Sequence, residues 1–228
     1  MKKLILFLLS SLFLITTSSW GADATATLTY NMYDANGIYA VARDNISASN
    51  NSSGGADVGQ DTGFKVRRGY LEFPIPVVSA VASAYLHIYL DTDTSTTDFD
   101  INLYLGSWSS MATNEWDQFD GWTSGSAHTG TNLAETFNTS SLVAGYNIIE
   151  LSAAGRAAIL SASNTTIKIA MVSGEDVSRS QPTGDEYVAF ESKNAAGKEP
   201  FLRITETAAS TDGTFSGVKL SGIETSNN

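Results

Sequence analysis

Ala84-Tyr85-Leu86-His87-Ile88-Tyr89-Leu90 is the stretch that decides the fold class. In an extended chain, Ala84, Leu86, Ile88 and Leu90 fall on one side, and Tyr85, His87 and Tyr89 on the other. That period of two marks a strand with one face in a core. Downstream, Phe99, Ile101, Leu103 and Leu105 repeat the alternation, with Asp98, Asp100, Asn102 and Tyr104 opposite. Upstream, residues 64–73 are rich in β-formers and stop at Pro74 and Pro76. The same signals predict strands over residues 25–33, 38–41, 146–151, 166–172, 187–191 and 200–205. Residues 45–63 read as a polar loop. Residues 152–162 are alanine-rich and open on a serine able to cap, which predicts one short helix. Many short strands, polar turns and no internal repeat predict an all-β, jelly-roll-like antiparallel β-sandwich over residues 23–205.

The first 22 residues read as a secretory signal peptide. Lys2 and Lys3 precede an apolar run over residues 4–15, and small and polar residues follow. The run is shorter than the roughly 20 residues a membrane span needs. Cleavage is expected after Gly21 or after Ala24. The mature protein is therefore expected to be secreted and extracellular, with no membrane span. A long secreted chain without cysteine points to a bacterial envelope. Hydrophobic residues make up 42% and charged ones 16%, so the chain is globular rather than disordered. Its net charge of −11 sets it against nucleic acid, whose phosphates it would repel.

Arg67-Arg68-Gly69-Tyr70-Leu71-Glu72-Phe73-Pro74-Ile75-Pro76, followed by Val81-Ala82-Ser83-Ala84-Tyr85-Leu86-His87-Ile88-Tyr89-Leu90, resembles the disaggregatase-related, or DNRLRE, domains. Those domains show an Arg-aromatic-Leu-x-Phe strand, a short linker and a Ser-Ala-x-Leu-x-Leu strand. Gly106-Ser107-Trp108, Glu115-Trp116 and Glu199-Pro200-Phe201-Leu202-Arg203-Ile204 extend the resemblance, which covers residues 56–205. It implies a jelly-roll module of a secreted or cell-surface protein, of a kind described as carbohydrate-binding.

Candidate sites follow from residue type. If the two alternating strands pair, Tyr85, His87, Tyr89 and Tyr104 form an aromatic strip with Asn102 and Asp100 beside it. Sugars stack their C–H faces on such rings while their hydroxyls meet polar neighbours. The competing reading is that a second layer covers these rings. Trp108 and Trp116 read as buried loop anchors, and Trp122 as a further ligand candidate. Asp91, Asp93, Asp98 and Asp100 place several oxygens on one loop, an expected site for structural calcium without the pattern of an EF-hand. Gly174-Glu175-Asp176 and Asp185-Glu186 are weaker versions of that pattern. Neither a Gly-x-Ser-x-Gly elbow nor a His-Glu-x-x-His motif occurs. The first expectation is a non-catalytic protein that docks extracellular polysaccharide. A structural or adhesive subunit is the alternative. It would self-associate through strand edges and the tail 206–228, where residues 214–223 alternate again. A polysaccharide-degrading enzyme is the third reading.

Overall fold

The computed structural model describes residues 21–207. Residues 1–20 of the expected signal peptide and the alternating stretch 214–223 lie outside them. In chain order the strands are β1 (Gly21–Thr25), β2 (Leu28–Ala35), β3 (Asn50–Ser52), β4 (Ala56–Gln60), β5 (Lys65–Pro74), β6 (Ser83–Asp93), β7 (Ile101–Leu105), β8 (Gly145–Glu150), β9 (Thr166–Ser173), β10 (Glu186–Phe190) and β11 (Phe201–Thr205). Three short helices are α1 (Tyr39–Asp44), α2 (Ala153–Ser161) and α3 (Gly174–Ser178). Every strand pairing is antiparallel, and the whole is an all-β sandwich.

Two long strands organise it. Tyr85 of β6 has Glu150 of β8 on one flank and Arg203 of β11 on the other. This gives a first sheet ordered β8-β6-β11-β1. Gly69 of β5 lies between Asn31 of β2 and Met171 of β9, which gives a second sheet ordered β3-β2-β5-β9-β7. The far end of β6 pairs with β10, β10 with β4, and β4 with the start of β5, so this strap joins the layers at one side. Close approach there requires glycine. Gly59 holds φ +124, and a Cβ on it would stand 2.0 Å from the Glu186 carbonyl oxygen.

Between the sheets lies the main core. Ala84, Leu86 and Ile88 of β6 meet Leu71 and Phe73 of β5, Ile169 and Met171 of β9, and Ile101 and Leu103 of β7. Burying each large side chain contributes roughly 1.5–3 kcal/mol, so this layer supplies much of the driving force. Ser152 caps α2 by accepting from the Gly155 amide at 3.3 Å, and Ile159 of that helix enters the core. Ala24 of β1 is buried in the same core.

The outer face of the second sheet is also buried. Met32, Val66, Tyr70, Tyr104, Ala170 and Val172 pack there beneath Tyr39 and Ala42 of α1, together with Trp108, Trp116 and Phe119 of the loop after β7. Gly106 makes room for this lid, since a Cβ on it would lie 1.9 Å from the Trp108 ring. Trp108 donates its indole N–H to Glu72 at 2.7 Å. As expected, Trp108 and Trp116 are buried anchors.

Three expectations need correction. Residues 38–41 are not a strand: α1 forms there, burying Tyr39, Ala42 and Arg43 at helical spacing. Residues 25–33 divide into β1 and β2, which belong to different sheets. The polar loop 45–63 contains β3 and β4, and Ala56, Val58 and Gln60 of β4 are wholly buried.

Candidate functional site

The outer face of the first sheet stands apart, because neither buried core includes its side chains. Strand register builds it in rows. Asp23, Arg203, Tyr85 and Glu150 form one row across β1, β11, β6 and β8. Thr25, Phe201, His87 and Ile148 form the next, and Tyr89 stands beside Tyr146 in a third. His87 stacks on Phe201 with ring centroids 4.3 Å apart and planes 11° from parallel. Tyr146 meets Phe201 edge-on at 5.5 Å and Tyr89 at 5.3 Å. Four rings therefore form one continuous patch, with Tyr85 alongside and Ile148 53% exposed at its border.

The rim is polar. Arg203 pairs with Asp23 through a two-pronged contact at 3.0 Å, and its guanidinium lies 5.3 Å from the Phe201 ring. Lys198 pairs with Glu191 at 2.8 Å and lies 4.7 Å from the Tyr89 ring. Tyr146 donates its hydroxyl hydrogen to the Glu199 carbonyl at 3.1 Å, which fixes that ring. Burial lowers the His87 pKa below its ordinary value, with Arg203 adding to the effect and Asp23 opposing it. His87 is thus a neutral packing ring at pH 7, and it is itself buried. The half-buried Tyr85, Tyr89, Tyr146 and Phe201 are the rings that face solvent.

Of the residues expected in a site, the structure brings together Tyr85, His87 and Tyr89. It does not bring Asn102 or Tyr104 to them, because β7 pairs with β9 and not with β6. Tyr104 is 3% exposed in the second core, 4.0 Å from the His128 ring. The Asn102 amide oxygen accepts from Asn132 at 2.9 Å. Trp122 packs on the second core, 6.0 Å from the Arg68 guanidinium. Tyr146 and Phe201 are the members that the sequence reading missed. Their strands were foreseen, but not that both flank β6. Asp91, Asp93, Asp98 and Asp100 are all exposed: Asp93 accepts from Ser95 within its own turn, while Asp98 accepts from Thr139 and Asp100 from Asn138, both in the segment that leads to β8. Among the described residues no three His, Asp or Glu side chains converge as a metal site. No described helix is long and apolar enough to cross a membrane.

Elsewhere, a groove of about 360 Å³ opens between Leu105, Ala158, Ala162, Ile167 and Lys168. Its one ammonium is already tied to the Trp108 carbonyl. In the second core, Arg43 and Arg68 are wholly buried and share Asp176. His128, stacked on Phe119 at 5.2 Å, accepts from the Gly130 amide at Nδ1. Burial, opposed by Asp176 and aided by Arg68 and Arg43, pushes its pKa down to about 4. An unfolded histidine binds its proton near pH 6.5, and the folded domain refuses it until about pH 4. Stability is therefore expected to fall across that window as pH drops, with His87 acting in the same direction. Urea midpoints at about pH 7 and about pH 4.5 should differ less for His128→Asn than for wild type. Equal differences would contradict the assignment.

No family model matches the chain, and no curated protein matches it either.

Proposed function

We propose that this is a secreted, non-catalytic protein that binds extracellular polysaccharide on the outer face of its first sheet. One observation carries the reading. The sandwich buries the outer face of one sheet under a second core, and leaves a continuous aromatic patch on the other. Ring faces in a polar frame suit pyranose C–H faces, and Glu150, Asp23 and Arg203 stand where hydroxyls would reach. The resemblance to disaggregatase-related domains points the same way. Both basic side chains at the rim are already paired with acids, and Glu150 and Glu199 add negative charge. The favoured ligand is therefore an uncharged glycan, while a uronate polymer would be repelled.

Co-sedimentation with insoluble cellulose, xylan and chitin tests this, with a pectate gel as the acidic arm. Tyr89→Ala or Phe201→Ala should each weaken retention about tenfold, the loss expected for one stacked ring. Val77→Ser, on an exposed loop after β5, should leave retention unchanged. Retention indifferent to both ring substitutions would sink the proposal.

A structural subunit is the second reading, favoured by one feature. Among the described residues no strand pairs with the far edge of β1, so that edge is open to another chain. Light scattering showing a mass above the monomer would support it.

A further inference from the structure

The rings on the outer face of the first sheet do not lie flat. Phe201 of β11 and His87 of β6 are direct cross-strand partners, whose Cβ atoms stand about 5 Å apart. Their ring centroids are 4.3 Å apart and their planes 11° from parallel. Rings on neighbouring strands stack at that spacing only when both rise steeply from the sheet, edges outward. Tyr146 crosses each of them at 71°, and Tyr89 crosses Tyr146 at 82°. No single plane can therefore meet the faces of all four rings.

Charged side chains stand over two of these rings. Lys198 lies over Tyr89 at 4.7 Å and Arg203 over Phe201 at 5.3 Å. Their side chains are 42% and 51% exposed, each held by an acid, Glu191 and Asp23. The rings themselves are half-buried or, for His87, buried, so the rim is more exposed than what it frames. One ring face stays open sideways. His87 covers one side of Phe201, while on the other side its partner on β1 is Thr25, a short exposed side chain. Phe201 is thus a wall beside a low floor, with the Arg203–Asp23 pair next along the strands.

We propose that the ligand is a single, solvated glycan chain lying in the notch between Phe201 and β1, and that the flat faces of crystalline polysaccharide are not bound. This rests on the reading of the patch as a neutral-glycan site. A crystalline face holds its sugar rings in one plane and ties their edge hydroxyls to neighbouring chains. It would meet the two ion pairs before any ring, and would strip their water without offering hydroxyls in return. A loose chain turns a C–H face to the side of Phe201 and keeps its edge hydroxyls free for Asp23 and Arg203. Selection between loose and packed chains then follows from ring orientation, not from sugar identity.

The test gives the full exported chain cellulose and chitin, each in microcrystalline and acid-swollen form at equal accessible surface, and soluble xylan by calorimetry. Retention on the swollen form should exceed that on the microcrystalline form about tenfold or more, and soluble chains should displace it. Binding confined to soluble xylan supports the proposal equally. Thr25→Leu, which fills the notch at an exposed position, should weaken binding of the loose chain about tenfold with the melting temperature unchanged. Equal retention on both forms, still lost in Phe201→Ala, would keep the glycan site and overturn the loose-chain assignment. Binding that is lost in Phe201→Ala but indifferent to Thr25→Leu would overturn it too, placing the chain elsewhere on the patch. Failure to bind any of these polymers would remove the glycan site itself, and this inference with it.

Discussion

Replacing Asp176 with alanine should destabilise the domain by about 3–5 kcal/mol, enough to remove much of the stability of a typical fold. This carboxylate takes Arg68 in a fork, Nε at 2.7 Å and Nη2 at 3.0 Å, and Arg43 Nε at 2.9 Å. Both arginines are wholly buried, so its removal leaves two desolvated guanidinium groups beside each other. Burial opposes the Arg68 charge, yet the Asp176 carboxylate holds its pKa above the usual value. The cluster also joins distant segments: Arg68 lies on β5, Arg43 on α1 and Asp176 on α3. Asp176→Asn keeps the shape and some hydrogen bonds, and should fall between wild type and Asp176→Ala. Urea unfolding at neutral pH measures both. A loss below about 1 kcal/mol for Asp176→Ala, the size of an exposed pair, would mean that the arginines find water or other acceptors.

Trp116→Ala is expected to cost about 3–5 kcal/mol by a different route, an unfilled cavity. The indole is wholly buried, and the Arg68 guanidinium lies 3.9 Å from its ring. The backbone of Trp116 is equally engaged, because its carbonyl accepts from Arg68 Nη1 at 3.0 Å and from the Tyr70 hydroxyl at 2.9 Å. Loss of the ring frees the loop that presents that carbonyl. The second core should loosen first, exposing Tyr104 and Phe119, while the main core between the sheets stays closed. Hydrogen exchange should report this as faster exchange in α1 and residues 106–131 than in β6. Uniform acceleration would show that the two cores unfold as one unit.

How far the fold could be read from the chain depended on whether one strand face was polar. β6 was legible because Ala84, Leu86 and Ile88 alternate with larger polar-tipped rings. β4 was not, because Ala56-Asp57-Val58-Gly59-Gln60 carries one large apolar residue and a glycine at positive φ. Its burial comes from β10 and β5 on either side, which local pattern does not register. The four-residue run Ile38-Tyr39-Ala40-Val41 is too short to separate helix from strand by period. Tyr104 shows the limit for site residues. Alternation assigned it correctly to the face opposite Leu103, yet Tyr104 is buried as well as Leu103, so at that position the opposite face was not solvent. The patch itself was half legible. Tyr85, His87 and Tyr89 share a strand, whereas Tyr146 and Phe201 join them only through the lateral order β8-β6-β11. Nothing local marks Arg43 and Arg68 for burial, because the carboxylate they share lies more than a hundred residues downstream.

The most direct test of the central claim is chemical-shift mapping of the isotope-labelled mature protein during titration with a soluble, uncharged oligosaccharide. Glycan binding on the first sheet predicts saturable shifts clustered at Tyr85, Tyr89, Tyr146 and Phe201, with the Trp116 and Tyr104 signals unmoved. Saturable shifts centred on the second core or the groove beside α2, or no shift with any neutral glycan, would contradict it.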